Sequence, residues 1–205
     1  MEKITDSQPP TLRLREQDLV GKVAVITGDI FILNAAAPYI TDVGNLDAAE
    51  VSKSLLCNVQ TNALIVDELV KRQSFQPNSR IIFISSVRGC MPWKRQLMYS
   101  AGKAVGKMMC KTWAECCGGR HEEFSFMTGT TANAIVTGLT ATDAVLNMPG
   151  DILQEVKEEF LPHQDIPKFA VAEDVADALG MLCGNDARWI TGQSISVSGE
   201  LVKLQ

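Results

Sequence analysis

Ser86, Tyr99 and Lys103 are the residues of this chain whose types and spacing could do chemistry. Tyr99 and Lys103 are four apart, so on a helix their side chains share a face, and an ammonium beside a phenol favours the phenolate. An ordinary tyrosine, with a pKa of about 10, is too weak an acid to work well near neutrality. Ser86 closes the apolar run Arg80-Ile81-Ile82-Phe83-Ile84-Ser85, which reads as a buried strand. The carboxyl end of such a strand is where open α/β sheets bind ligands, and the serine hydroxyl there can hold a substrate oxygen beside the phenol. The triplet reads as a proton donor for carbonyl chemistry with an orienting partner. By composition alone, such a triplet arises by chance in roughly one chain of this size in fifty.

The elements that must position these residues follow from periodicity and punctuation. The pattern predicts a helix over 48–73, a strand over 80–85, a loop over 86–94 and a long helix over 97–117, stopped by Gly118-Gly119. A further strand over 131–136 leads to a variable segment, 140–168, which contains an amphipathic helix over 151–160. Gly102 lies inside the long helix, where glycine costs about 1 kcal/mol relative to alanine. Its small size suits a close approach to sheet or ligand; drift in an unconstrained gene is the other reading.

The chain has 205 residues, 46% of them hydrophobic, enough to build one core over 21–205 as a single domain. A net charge of -5 without a basic cluster argues against nucleic acid as a partner. No apolar run reaches the eighteen or so residues of a membrane span, and the polar, proline-bearing segment 1–20 reads as a disordered leader, not a secretory signal. The expectation is a soluble cytoplasmic protein. Six cysteines and two histidines show no metal-ligand spacing, so no metal site is expected. The cysteines read as reduced thiols, with Cys116-Cys117 packed at the end of the long helix.

Ser86, twelve intervening residues, then Tyr99-Ser100-Ala101-Gly102-Lys103 resembles the active-site signature of the short-chain dehydrogenase/reductase family. Other segments resemble it in the family's order. Gly21-Lys22-Val23-Ala24-Val25-Ile26-Thr27-Gly28 is similar to the first strand and the opening of its glycine-rich turn. Asp29-Ile30-Phe31-Ile32-Leu33-Asn34-Ala35-Ala36 is similar to the fourth strand and its Asn-Asn-Ala-Gly turn, with only Asn34 of the asparagine pair. Asn58 matches the helix asparagine of the proton relay. Asn133-Ala134-Ile135-Val136-Thr137-Gly138 with Leu139 to Thr142 resembles the loop over the nicotinamide, with Thr137 where proline is usual. Asp174 to Ala178 and Trp189 to Val197 resemble the last long helix and last strand.

The resemblance implies a Rossmann-like, doubly wound parallel sheet with helices on both faces, and an NAD(P)-dependent oxidoreductase that reduces a ketone or oxidises a secondary alcohol. Ser86, Tyr99, Lys103 and Asn58 would be catalytic. Gly28, Asn34, Tyr99, Lys103, Thr140 and Thr142 would hold NADP (or NAD), with NADP the preferred expectation. Segment 140–168 would be the substrate lid, and relaxed motifs such as Ser198-Gly199-Glu200 suit a tailoring enzyme of secondary metabolite biosynthesis. A homodimer or homotetramer is implied, with a small carbonyl or alcohol as the substrate.

By the same comparison, a block of roughly fifty to seventy residues, most of one mononucleotide-binding half, is absent between Gly28 and Asp29. Parallel strands need a crossover of a dozen or more residues, whereas the direct link here permits only an antiparallel hairpin. Either residues are excised at this point, or the chain is a truncated splice or gene-model product. The alternative function is a catalytically inactive member that acts as a dimerisation partner of a full-length relative.

Overall fold

The computed structural model describes residues 24–25 and 30–204. The predicted leader 1–20 and Gly28 lie outside them. Five strands form one sheet in sequence order: β1 (Ala24–Val25), β2 (Ile30–Leu33), β3 (Arg80–Ser86), β4 (Thr131–Thr137) and β5 (Ser194–Val197). Strands β2 to β5 are parallel neighbours, and β1 pairs antiparallel with β2, Ala24 opposite Ile32 and Val25 opposite Phe31. Four residues between β1 and β2 leave no room for a parallel crossover, so the hairpin expected from the sequence is what forms.

The central strands β3 and β4 are buried on both faces, which is why they read as near-continuous apolar runs. Alternation along β3 divides the core. Ile81 and Phe83, with Phe31, Leu33, Ala132 and Ala134, pack under α2 (Thr61–Lys71) and α3 (Leu97–Cys117). Ile82 and Ile135 face the opposite layer, against Leu182 of α6 (Ala172–Cys183). Helices therefore cover both faces of a mostly parallel sheet, a Rossmann-like arrangement. Among the described residues the strand order runs in one direction only, so the reversal that defines a doubly wound sheet is not present in them.

The helix expected over 48–73 is interrupted. It comprises α1 (Ala48–Leu55), capped by the Asp47 carboxylate, then a π-helical turn (Leu56–Gln60) and α2. In the wide turn the Leu56 carbonyl accepts from the Thr61 amide, five residues on, and from Thr61 Oγ1 at 2.8 Å. Helix α3 matches its predicted span, with Gly102, Lys103, Gly106, Cys110 and Cys117 on its buried side. Segment 140–168 holds α4 (Asp143–Leu146) and α5 (Gly150–Phe160), and the latter seats Val156 and Phe160 in a third apolar cluster with Val87, Trp93 and Leu139. Among the described residues, no helix is long and apolar enough to cross a membrane.

Gly106 is where α3 lies closest to the sheet: a β-carbon there would stand 2.2 Å from the Phe83 ring. Gly180 in α6 has open space around that position. Alanine is the better helix former by about 1 kcal/mol at either site. Gly180→Ala is therefore expected to stabilise the protein by up to about 1 kcal/mol, while Gly106→Ala destabilises it by roughly 1–3 kcal/mol through overpacking. Urea denaturation of the two variants checks the pair.

Candidate active site

The carboxyl ends of β2, β3 and β4 open into a cavity of about 480 Å³, within the range of ligand pockets. Asn34, Ser86, Tyr99, Lys103, Thr140 and Thr142 all line it, so six residues singled out by sequence meet at one place. Val87, Trp93, Leu139, Val145, Met148, Val156 and Phe160 supply an apolar wall.

Ser86 ends β3, where the chain turns sharply into a 3-10 turn (Val87–Gly89), and its Oγ accepts from the Arg88 amide at 3.2 Å. Ser85, pointing to the opposite face, donates to the Lys103 carbonyl at 2.9 Å and so ties β3 to α3. Thr137, in the position where proline was expected, donates to the Ser85 carbonyl at 3.0 Å and locks the end of β4 against β3. Thr140 Oγ1 donates to the Gly138 carbonyl at 3.2 Å, and Thr142, which also lines the cavity, immediately precedes α4 without a side-chain cap.

Lys103 is 4% exposed, and its Nζ donates to the Ile84 carbonyl at 2.6 Å while lying 5.6 Å from the Tyr99 ring centroid. Burial lowers its pKa to about 8, because a desolvated ammonium is costly. Tyr99 departs from expectation. Burial raises its pKa above 10, the Ser86 hydrogen bond and the Arg88 charge pull it back in part, and Lys103 makes no resolved contribution. The expected lowering of the phenol by Lys103 is therefore corrected: the dominant influence on both groups is loss of water.

Asn58 sits in the π-helical turn, away from the cavity lining. Its Oδ1 accepts from the Ala37 amide at 2.8 Å, and its Nδ2 donates to the Ala37 carbonyl at 2.9 Å and to Ser54 Oγ at 3.0 Å. The side chain thus clamps the loop after β2 to the helix, and its own carbonyl accepts from Asn62 Nδ2 at 3.0 Å. Gly102 is explained by the same residue, since a β-carbon there would lie 2.7 Å from Asn58 Cβ. The close approach is to a neighbouring helix, not to sheet or ligand. Cys110 and Cys117 are core thiols whose pKa values burial pushes up to about 12.

Sequence reasoning missed Arg88. Its side chain is 4% exposed, stacked between Trp93 and Phe160 with centroid distances of 4.8 and 4.1 Å, and bidentate to Glu159 at 2.9 and 3.2 Å. The signal available was an arginine two residues past a buried strand end; its partner lies 71 positions away.

A mostly parallel sheet, layered on both faces and open at its carboxyl edge, places the protein in the Rossmann-like class of α/β proteins. The chain belongs to the short-chain dehydrogenase/reductase family, since residues 17–199 match the family model described as enoyl-(acyl carrier protein) reductase. It is 26% identical to the 3-oxoacyl-(acyl-carrier-protein) reductase FabG of Rickettsia typhi over 90% of this chain and 71% of that protein. It is 27% identical to the 7alpha-hydroxysteroid dehydrogenase of Bacteroides fragilis over 78% of this chain and 58% of that one. In structure it resembles the angucycline C-6 ketoreductase LanV with bound NADP, with a TM-score of 0.72 at 21% identity, covering 83% of this chain and 61% of that one. A 4-hydroxyisoleucine dehydrogenase complexed with NADH gives a TM-score of 0.72 at 20% identity, covering 88% of this chain and 70% of that one. The chain thus spans 58–71% of the length of these relatives.

The buried Lys103 makes a linkage prediction. Its folded pKa of about 8 lies below its ordinary 10.5, so between these values the unfolded chain binds the extra proton and stability rises with pH. The gap corresponds to roughly 3 kcal/mol, felt in full below pH 8. Lys103→Met is expected to be more stable than the native chain at pH 7, with the advantage shrinking by pH 10. Urea midpoints at both pH values decide it.

Proposed function

We propose that the protein is an NAD(P)H-dependent oxidoreductase that interconverts a ketone and a secondary alcohol, with Tyr99 as proton donor and acceptor. The observation that carries this reading is the convergence of Ser86, Tyr99 and Lys103 with Asn34, Thr140 and Thr142 on one cavity at the carboxyl edge of the sheet. The residues present fit the nicotinamide riboside end of the cofactor. Lys103 has three donors, and the Ile84 carbonyl uses one, which leaves capacity for ribose hydroxyls. Asn34 would serve the ribose, and Thr142 with the backbone at Thr140 the carboxamide; all three line the cavity. Gly28, assigned to the phosphate turn, lies outside the described residues.

When bound, the nicotinamide supplies hydride to a carbonyl carbon or accepts it from a carbinol. Ser86 holds the substrate oxygen by donating its hydroxyl proton. Tyr99 hands its phenolic proton to the oxygen as it becomes an alkoxide, and takes it back in the oxidising direction. Lys103 would hold the ribose and, when charged, stabilise the tyrosinate left behind. Asn58 positions rather than touches: by clamping Ala37 it fixes the loop that carries Asn34.

The apolar wall of Val87, Trp93, Leu139, Val145, Met148, Val156 and Phe160 fits a hydrophobic ketone. LanV, an angucycline ketoreductase, is a structural neighbour, which supports placing this protein among tailoring enzymes of secondary metabolism. NADP is the preferred cofactor in this reading, and the cytoplasm its site of action. The reduced length and the direct pairing of β1 with β2 support the absence of a nucleotide-half block between Gly28 and Asp29.

A second reading, an inactive partner of a full-length relative, is favoured by Leu56, Leu64, Val105 and Met108, large apolar residues left exposed on the π turn, α2 and α3. Either reading uses this face for self-association or pairing. In these readings the native chain forms a homodimer or homotetramer through this face, and a Val105→Glu, Met108→Glu double variant is expected to sediment as a smaller species in sedimentation velocity.

Tyr99→Phe is expected to lower turnover of apolar ketones by at least about 10²-fold, the ordinary worth of a general acid. NADPH affinity, measured by fluorescence titration, should change by no more than a few fold. Retained turnover overturns the assignment of Tyr99, and absent NADPH binding by a folded chain favours the inactive reading.

A further inference from the structure

The residues between Ser86 and Tyr99 carry three cations, Arg88, Lys94 and Arg95, and α5 presents Glu155 and Glu159 to them. Lys94 meets Glu155 at 3.2 Å, Arg95 meets Glu155 at 3.6 Å and Asp42 at 3.7 Å, and Arg88 meets Glu159 at 2.9 Å. Only Arg88 is deeply buried. Arg88 lines the same cavity as Tyr99, and its guanidinium sits at the Trp93 and Phe160 rings. Aromatic faces fix a guanidinium in orientation and favour its charge, and a two-point carboxylate fixes it further.

We propose that Arg88 is a positioning residue for Tyr99, whose cationic field at the phenol is set by pairing with Glu159 of the lid helix α5. This rests on the reading of Tyr99 as the proton donor. With α5 seated, Glu159 offsets most of the Arg88 charge; where the carboxylate is lost or withdrawn, the full charge faces the cavity. The direction agrees with the downward influence of Arg88 on the Tyr99 pKa. The charged and polar groups that face Tyr99 or neighbour its charge field are Lys103 on α3, Ser86 at the end of β3, and Arg88 in the following turn. Beyond them lie Lys94 and Arg95 in the loop, Glu155 and Glu159 on α5, and Asp42 after β2.

The chain has two tyrosines, Tyr39 and Tyr99, so a Tyr39→Phe background leaves Tyr99 as the sole phenol. Its ionisation can then be followed by phenolate absorbance without substrate or cofactor, so the outcome is independent of whether turnover is ever found. In that background, Arg88→Met removes the charge and is expected to move the Tyr99 midpoint up by about 0.5 to 1. Glu159→Gln keeps a hydrogen-bond acceptor, removes the offsetting charge and is expected to move it down by a similar amount. Both variants break the ion pair, so a merely structural pair would shift both midpoints the same way or neither. That result overturns the proposal. If Arg88→Met does not fold by circular dichroism, Glu159→Gln decides alone: a fall supports the proposal, and an unchanged or raised midpoint overturns it. Retained turnover in Tyr99→Phe would remove the role of Tyr99 as acid while leaving this titration unaffected, so the two failures are told apart.

Discussion

The closeness of α3 to β3 is the constraint on which the rest of the site depends. Tyr99 and Lys103 ride on α3, Ser86 ends β3, and no direct covalent link sets the distance between them. Gly106 lets the helix rest on the Phe83 ring, and Ser85 pins it through the Lys103 carbonyl. On its other flank Gly102 accepts Asn58, whose side chain holds the loop after β2. At both glycines a β-carbon would clash, so these residues, which weaken the helix locally, set how near it can lie. The cost in helix propensity is the condition for a defined triplet geometry.

That closeness also sets the electrostatics. Removing water from a phenol and an ammonium disfavours the charged form of each, which raises Tyr99 and lowers Lys103. The pair is therefore biased toward neutral tyrosine and a lysine whose charge is easily modulated near neutrality. Hydrogen-bond acceptors placed against Lys103, such as ribose hydroxyls, would restore its charge beside Tyr99. The arrangement thus couples filling of the cavity to strengthening of the acid, while the Arg88 charge is already paired with Glu159.

Much of this was legible in the sequence, for identifiable reasons. The strand over 80–85 and the helix over 97–117 carry strong, local period and punctuation signals, and their placement brings Ser86, Tyr99 and Lys103 together. The π turn at Leu56–Gln60 was not legible, because it leaves the apolar periodicity of 48–73 almost unbroken and depends on tertiary bonds from Asn58 to Ala37. The Arg88–Glu159 pair has no local signal, since its partners come from elements joined only by folding. The pKa direction of Tyr99 failed for a related reason: spacing shows that a lysine is near, whereas desolvation depends on the whole enclosure.

The N-terminal edge of the sheet shows how chain length limits topology. Val25 and Ile30 are separated by four residues, and a parallel partner for β2 from this segment would require a crossover several times longer. Antiparallel pairing is the arrangement the link permits, and it covers the outer edge of β2 with two residues. The residues assigned to the nicotinamide end, Asn34, Tyr99, Lys103, Thr140 and Thr142, depend on β2, β3, β4 and α3, none of which needs that edge to be parallel. The distal phosphates and adenosine of a dinucleotide depend in this fold class on the first strand and the helix after it. In the proposed reading the two halves of the cofactor site are therefore separable: the half beside the reacting carbon would rest on the described strands alone, whatever completes the other half.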